Sequence, residues 1–209
     1  PNGTSDKIIP FQAVNTGYTP VVATITVTPT FINGGVPCDG PSKTFTITVN
    51  PSAHLIEPDD QTVCTGGLTT QVDFNSLNTL GATSYTWINN NTSTGLSASG
   101  AGPILAFEGL NTGLSPNTSI ITVIPELTFN GTTCDGPSQT FTITVNPLLD
   151  INPLGDIDIC DGETMPLISF GSNLVGSNVN YSWTNDNNSI GLASSGSGDD
   201  ILPFQVFNS

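Results

Sequence analysis

The run Cys38-Asp-Gly-Pro-Ser-Lys-Thr-Phe-Thr-Ile-Thr-Val-Asn-Pro51 occurs twice, the second time from Cys134 to Pro147. The copies differ only at Lys43 versus Gln139, and the step from Cys38 to Cys134 is 96 residues. A Gly-Pro turn opens each copy, after which Phe45, Ile47 and Val49 alternate with Thr44, Thr46 and Thr48. A period of two places the apolar side chains on one face and the threonines on the other, the pattern of a half-buried antiparallel strand. Asn-Pro then closes the strand, because proline donates nothing to a ladder and restricts the residue before it. A chain that uses one strand twice at such a spacing is a repeat protein.

The rest of the sequence is placed by its distance from these two strands. Residues 1–50 read as the late half of a unit, with Ile8–Phe11 as a short strand, a turn at Asn15-Thr16-Gly17, and the alternating strand Ala23–Thr28 ended or edged by Pro29. Residues 51–146 hold one whole period: Thr62-Val-Cys64-Thr-Gly66, a strand with Val72 and Phe74 on one face, Ser84-Tyr-Thr-Trp87, a Ser/Asn/Gly-rich connection from Asn89 to Gly102, Ile104–Phe107, and Ser119–Ile124 before Pro125. Residues 147–209 restart the pattern with Ile159-Cys160-Asp-Gly162, Ile168 and Phe170, and Tyr181-Ser-Trp183. Leu202-Pro-Phe204-Gln205 echoes Ile9-Pro-Phe11-Gln12 with one residue inserted. Short strands between Gly/Pro/Asn turns, with no useful helical spacing, predict an all-β fold. No flexible linker separates the units, so they should be closely jointed.

Charge excludes whole classes of partner. Lys7 and Lys43 are the only basic residues against 17 acids, a net charge of −15. Nucleic acid binding needs cations to displace counterions from phosphates, and an anionic membrane surface repels such a chain. No run is long enough for membrane insertion. No charged-then-apolar leader stands at Pro1, so any export signal is expected outside this segment. Four cysteines in a loop-rich β chain, with no Cys-x-x-Cys, point to disulfides in an oxidising compartment.

Taken together, Cys-x-Gly, Tyr-x-Trp, Asn-Thr-Gly and the closing Cys-Asp-Gly-Pro-Ser-x-Thr-Phe-Thr-Ile-Thr-Val-Asn-Pro resemble the tandem PKD-like or Ig-like repeats of very large surface proteins of Bacteroidota. The 96-residue step also suits a unit of the size of an immunoglobulin-like sandwich. The resemblance implies β-sandwich units, secreted and exposed at the cell surface, in an extracellular filament or adhesin where such repeats act as a jointed stalk or spacer. It carries no catalytic residues, and it implies neighbouring units of the same protein, head to tail, as the partners. The alternative is an adhesion module that binds a glycan or protein ligand through the loops at 89–102 and 185–200.

The search for chemistry is largely negative. His54 is the sole histidine and reads as structural, since acid–base work needs a partner within hydrogen-bond reach. Gly113-Leu-Ser115-Pro-Asn117 lacks the last glycine of a nucleophile elbow, and the glycines of 95–102 lead into no helix. No enzyme is expected. Trp87 and Trp183 suit a sandwich core better than a sugar platform. No cofactor is implied. Calcium is the one ion considered, on the acids Glu57, Asp59, Asp60, Asp156, Asp158, Asp161, Glu163, Asp199 and Asp200, although only Asp60 recurs one period on, as Asp156.

Three surface features remain. The outward positions Ile120 and Ile124 suggest a covered lateral interface, or else a strand buried on both faces. Asn2, Asn90, Asn91, Asn117, Asn130, Asn180 and Asn187 begin Asn-x-Ser/Thr triplets, which in a bacterial protein of this composition are expected to stay largely unglycosylated. Cys64–Cys134 is the first disulfide choice, within the complete unit. Its rivals, Cys38–Cys64 and Cys134–Cys160, would bridge neighbouring units. Finally, neither 1–50 nor 147–209 can bury both faces of a sandwich alone. Either the segment is a window on a longer array, or the early strands of one copy are completed by the late strands of the next. The duplicated Ile9–Gln12 and Leu202–Gln205 favour the window.

Overall fold

A computed structural model describes residues 7–174 and 179–208. The protein is all-β, with 42% strand against 3% helix. Residues 51–146 carry the buried core. Their six-stranded sheet runs in the order β5-β10-β8-β6-β7, built from β5 (Gln61–Cys64), β6 (Ala82–Asn89), β7 (Ser99–Ala101), β8 (Asn117–Phe129) and β10 (Gln139–Asn146), with β9 (Thr132–Asp135) folded back on β8. Only the β5–β10 pair is parallel.

The period of two does what the sequence demands. Along β8 the buried side chains are Ser119, Ile121, Val123, Pro125 and Leu127, and along β10 they are Phe141, Ile143 and Val145. Of these, Ile121, Val123, Phe141 and Ile143 form one cluster with Leu55, Val72, Trp87, Leu96 and Ile104, each such burial stabilising by roughly 1.5–3 kcal/mol. The covering layer contains extended segments joined by single bridges, Leu55 to Ser76, Leu68 to Glu108 and Val72 to Ile104. The expected strands around Val72 and Ile104 are present only in that reduced form.

Residues 7–50 form β1 (Val21–Val27) paired antiparallel with β4 (Lys43–Val49), and the hairpin β2 (Thr30–Asn33)–β3 (Val36–Asp39). The hairpin turns on Gly34 and Gly35, both at positive φ, and its counterpart between β8 and β9 turns on Asn130 and Gly131, also both positive. These are the two-residue turns whose twist suits paired strands. The Gly-Gly and Asn-Gly pairs carry that signal in the sequence.

The last segment is more sparsely paired. It contains β11 (Thr164–Met165) with β16 (Phe204–Gln205), β12 (Ile168–Ser169) with β15 (Asp200–Ile201), and β13 (Ser182–Thr184) with β14 (Ser195–Ser197). No strand pairing among the described residues crosses from one of the three segments to another.

Two local expectations are corrected. The strand at Ile8–Phe11 does not form. In the middle segment the corresponding stretch is held by the Val72–Ile104 and Leu68–Glu108 bridges, and residues 7–50 offer no equivalent partner. Proline also acts differently in the two copies. The strand stops before Pro29, whereas β8 runs through Pro125, which lies opposite Tyr85 of β6. A proline tolerated inside a strand needs neighbours that hold the backbone extended, and β6 supplies them.

Candidate interaction faces and joints

Identical sequence is buried once and exposed once. Phe141 of β10 is 3% exposed, while Phe45, its counterpart in β4, is 45% exposed. Ile47 and Val49 are half-buried where Ile143 and Val145 are fully buried. The difference lies entirely in what faces them. In the middle segment β5 occupies one edge of β10, β6 occupies one edge of β8, and Trp87 and Val72 join the core beneath. Among the described residues the outer edges of the β1–β4 pair carry no strand.

The last segment shows the complementary deficit. Trp183, Ile168, Leu192 and Ile201 are only half-buried, whereas their counterparts Trp87, Val72, Leu96 and Ile104 lie in the core. Ile157–Cys160 corresponds to β5 but is not a strand, and β13 keeps three residues where β6 has eight.

Beyond Pro51 the chain enters the middle segment through small groups of that segment. Ala53 is fully buried, and its backbone carbonyl lies so close to Gly136 that a Cβ there would collide with it. The Gly136 N–H donates to the Pro125 carbonyl at 3.0 Å, as the Gly40 N–H does to that of Pro29 at 2.8 Å. His54 meets Tyr18 edge to face, ring centroids 4.8 Å apart, and its backbone N–H donates to Asn78 Oδ1 at 2.8 Å. The Tyr18 contact reaches across from the first segment, and the Asn78 bond ties His54 to its own.

The connection 89–102 is held closed by its own asparagines, a role the sequence reading missed. Buried Asn89 donates from Nδ2 to the carbonyls of Asn91, Leu96 and Ser97. Asn91 caps the single turn Thr92–Thr94 by accepting from the Ser93 N–H, and Gly95 ends it at φ 100°. Asn185, Asn187 and Gly191 repeat this arrangement in the connection 185–200. Asn111 likewise donates to the carbonyls of Ser115 and Val145, both at 2.8 Å, as Asn15 does to those of Thr19 and Val49. The signal available was positional: each asparagine recurs at the same place in a turn.

The remaining candidates fall as follows. Trp87 is 6% exposed with Gly100 flat against its ring, so it is a core residue with no face open to a sugar. Its Nε1 has no hydrogen-bond partner. Ile120 and Ile124 are 45% and 37% exposed, so β8 is buried on one face and not on both. Asn91 Nδ2 donates to Asn117 Oδ1 and the Thr118 carbonyl, and Asn117 Nδ2 to Ser93 Oγ, which engages both amides that a glycan would need. Asn2 lies outside the described residues.

The acids do not converge. Among the described residues no group of three or more His, Cys, Asp or Glu side chains is placed to hold a metal ion. Glu57, Asp59, Asp60 and Asp73 line a shallow, open groove of about 370 Å³. Asp60 Oδ1 accepts from the Thr142 N–H at 2.6 Å, one residue before β5 pairs with β10, and so extends that ladder. This gives the recurrence of Asp60 as Asp156 a structural cause.

All four cysteines are free thiols. The first-choice pair Cys64–Cys134 is corrected by register. Cys64 stands opposite Asn146, next to the Val145–Asn117 pair, whereas Cys134 stands opposite Leu127. Asn117 and Leu127 are ten residues apart along β8, roughly 33 Å at the strand rise. A disulfide requires Cα atoms within about 7 Å. The two thiols lie at opposite ends of the sheet.

Among the described residues no helix is long and apolar enough to cross a membrane. No protein-family model matches the sequence, and no curated protein is significantly similar to it.

Proposed function

We propose that this chain is a structural segment of an extracellular filament or giant cell-surface adhesin, a jointed stalk of tandem Ig-like β-sandwich units. The observation that carries the reading is the joint. His54 packs edge to face on Tyr18 of the preceding segment, and Ala53, sealed under Gly136 inside the next unit, leaves no linker between β4 and that unit. A spacer needs such short, packed connections, because a flexible tether would lose reach to conformational entropy. The loops add support. Their asparagines are engaged in internal hydrogen bonds, and Trp87, one of the two tryptophans, is buried in the core.

Two measurements test the reading together. Small-angle scattering of the chain should give an elongated particle with units in line, and a glycan array and host-cell surfaces should retain none of it. Saturable binding through the loops at 89–102 or 185–200 would replace the stalk by the adhesion module. A scattering curve typical of a flexible chain would remove the jointed stalk.

A further inference from the structure

We propose that the outward face of the middle sheet is where two copies of this chain pack together, sheet against sheet, about a two-fold axis through Thr122. The stalk reading neither requires this contact nor supplies it, so either can fail without the other.

β8 turns Thr118, Ile120, Thr122, Ile124 and Glu126 away from the core, and β6 turns Thr86 and Ile88 to the same side. Ile88, Ile120 and Ile124 are 54%, 45% and 37% exposed. This unit is complete, and it has the described residues of the first and last segments attached on either side, yet the face stays open. The chain enters beside Gly136, just before β10, and leaves past Asn146, where β10 ends. Its neighbours along the chain therefore join at the ends of the sheet and not over its face. The corresponding positions in the other copies hold threonine, as Thr184, Thr24 and Thr28. Three adjoining isoleucines turned to water are unfavourable relative to burial, and only this unit carries them.

Register makes the patch self-complementary. Ile88 stands opposite Thr122, and Thr122 opposite Thr140, so the three form one row across the sheet. Ile120 and Ile124 lie two residues to either side of that row. Half a turn about the row lays the β8 of a second copy antiparallel over the first. Ile120 then meets Ile124 of the second copy, twice over, and Ile88 meets Ile88. An isologous contact requires a patch that matches itself in this way.

The polar groups agree with the same rotation. In a chain of 17 acids, Glu126 is the only charged residue in β5, β10, β8, β6 and β7. Four residues from the axis, it meets Thr118 of the second copy and not its own twin. Asp135, opposite Glu126 on β9, meets Thr144. Thr118 and Thr144 share a hydrogen bond of 2.9 Å. Two carboxylates thus face two hydroxyls, which donate as readily as they accept. A basic partner would find one acid on these five strands, and a glycan would find no outward aromatic ring on β6, β8 or β10.

The area suffices for a modest dimer. Five strands about 4.8 Å apart, and Thr118 to Glu126 at about 3.4 Å per residue, give a face of roughly 24 by 27 Å. Two such faces bury on the order of 1,200 Å², the lower end of specific interfaces. Threonine and isoleucine are stiff at χ1, so little rotamer freedom is lost on contact.

Sedimentation equilibrium of the whole 209-residue chain tests this. The expected result is a dimer that strengthens with salt, since two chains of net charge −15 repel. Ile120→Asp and Ile124→Lys should each abolish it, because each sets a charge against an isoleucine. Mixed, the two variants should form a one-to-one heterodimer in which the introduced charges face each other. Ile88→Thr, Ile120→Thr and Ile124→Thr should each weaken the dimer about tenfold or more, since each change counts twice across the axis. Trp87 fluorescence in a Trp183→Phe background shows that the unit stays folded in every variant.

A monomer at every concentration and salt overturns the proposal, as does a dimer that Ile120→Asp leaves intact. Growth beyond the dimer that Ile120→Asp removes would make the contact heterologous and overturn the two-fold axis. A mixture of Ile120→Asp and Ile124→Lys that stays monomeric overturns the pairing of Ile120 with Ile124.

Discussion

The duplicated strand allows one substitution to be compared in two surroundings with the same flanking residues. Phe45 and Phe141 each stand between threonines in Thr-Phe-Thr-Ile-Thr-Val. They are 45% and 3% exposed, a difference of about two-fifths of the side chain. A phenylalanine presents on the order of 200 Å², so roughly 85 Å² more is buried at Phe141, about 2 kcal/mol at 25 cal/mol per Å². The cavity adds to this, because Phe141 packs among Ile121, Ile143, Leu55 and Trp87. Phe141→Ala should therefore cost about 3–5 kcal/mol. At dilute monomer concentration Phe45→Ala should shift the same transition by less than about 0.5 kcal/mol, as surface changes do. The assay is urea unfolding followed by far-UV circular dichroism, which reports the strands of both segments, alongside Trp87 fluorescence in a Trp183→Phe background for the middle unit. Equal losses at both positions would refute the reasoning, because identical sequence would then be identically buried.

Other positions make sharper local tests. Gly136→Ala should destabilise the middle unit by about 2 kcal/mol or more in urea unfolding, since the new methyl meets the Ala53 carbonyl, whereas Gly102→Ser, with open space around it, should pay only the strain of its positive φ. Asn111→Ala should cost about 1–3 kcal/mol by the same measurement and expose nearby amides to hydrogen exchange, because the carbonyls of Ser115 and Val145 lose their donor. Burial raises the Tyr85 phenol above its ordinary value, partly offset by a hydrogen bond with the Ser76 side chain. A raised acid keeps its full contribution below the unfolded value near 10 and loses it as pH climbs through the folded one. Alkaline unfolding monitored at Trp87 should accordingly be delayed in Tyr85→Phe. Oxidation with glutathione disulfide followed by non-reducing peptide mapping should recover no Cys64–Cys134 peptide, given their opposite ends of the sheet.

The pattern legible along the chain was local and periodic. Alternation in Thr44–Val49 and Ser119–Ile124 set which side chains of β4, β8 and β10 share a face, because successive strand residues must point to opposite sides. Recurring Tyr-x-Trp, Asn-Thr-Gly and Cys-Asp-Gly-Pro set where strands turn, and the asparagines at 15, 89, 111 and 185 hold those turns from within. Whether a face meets a partner was settled by packing in three dimensions. Phe45 and Phe141 have the same neighbours in sequence, yet only one has Trp87 and Val72 packed nearby in the core. Pro29 and Pro125 follow similar strands, yet only Pro125 has β6 alongside to carry the strand through. The same holds for Cys64 and Cys134, whose pairing looked natural along the chain until the parallel β5–β10 ladder set them at opposite ends. Local rules act on a few consecutive residues, whereas burial and reach depend on segments far along the chain, such as Asp60 and Thr142 at a separation of 82. No alternation within one strand encodes what will lie across from it.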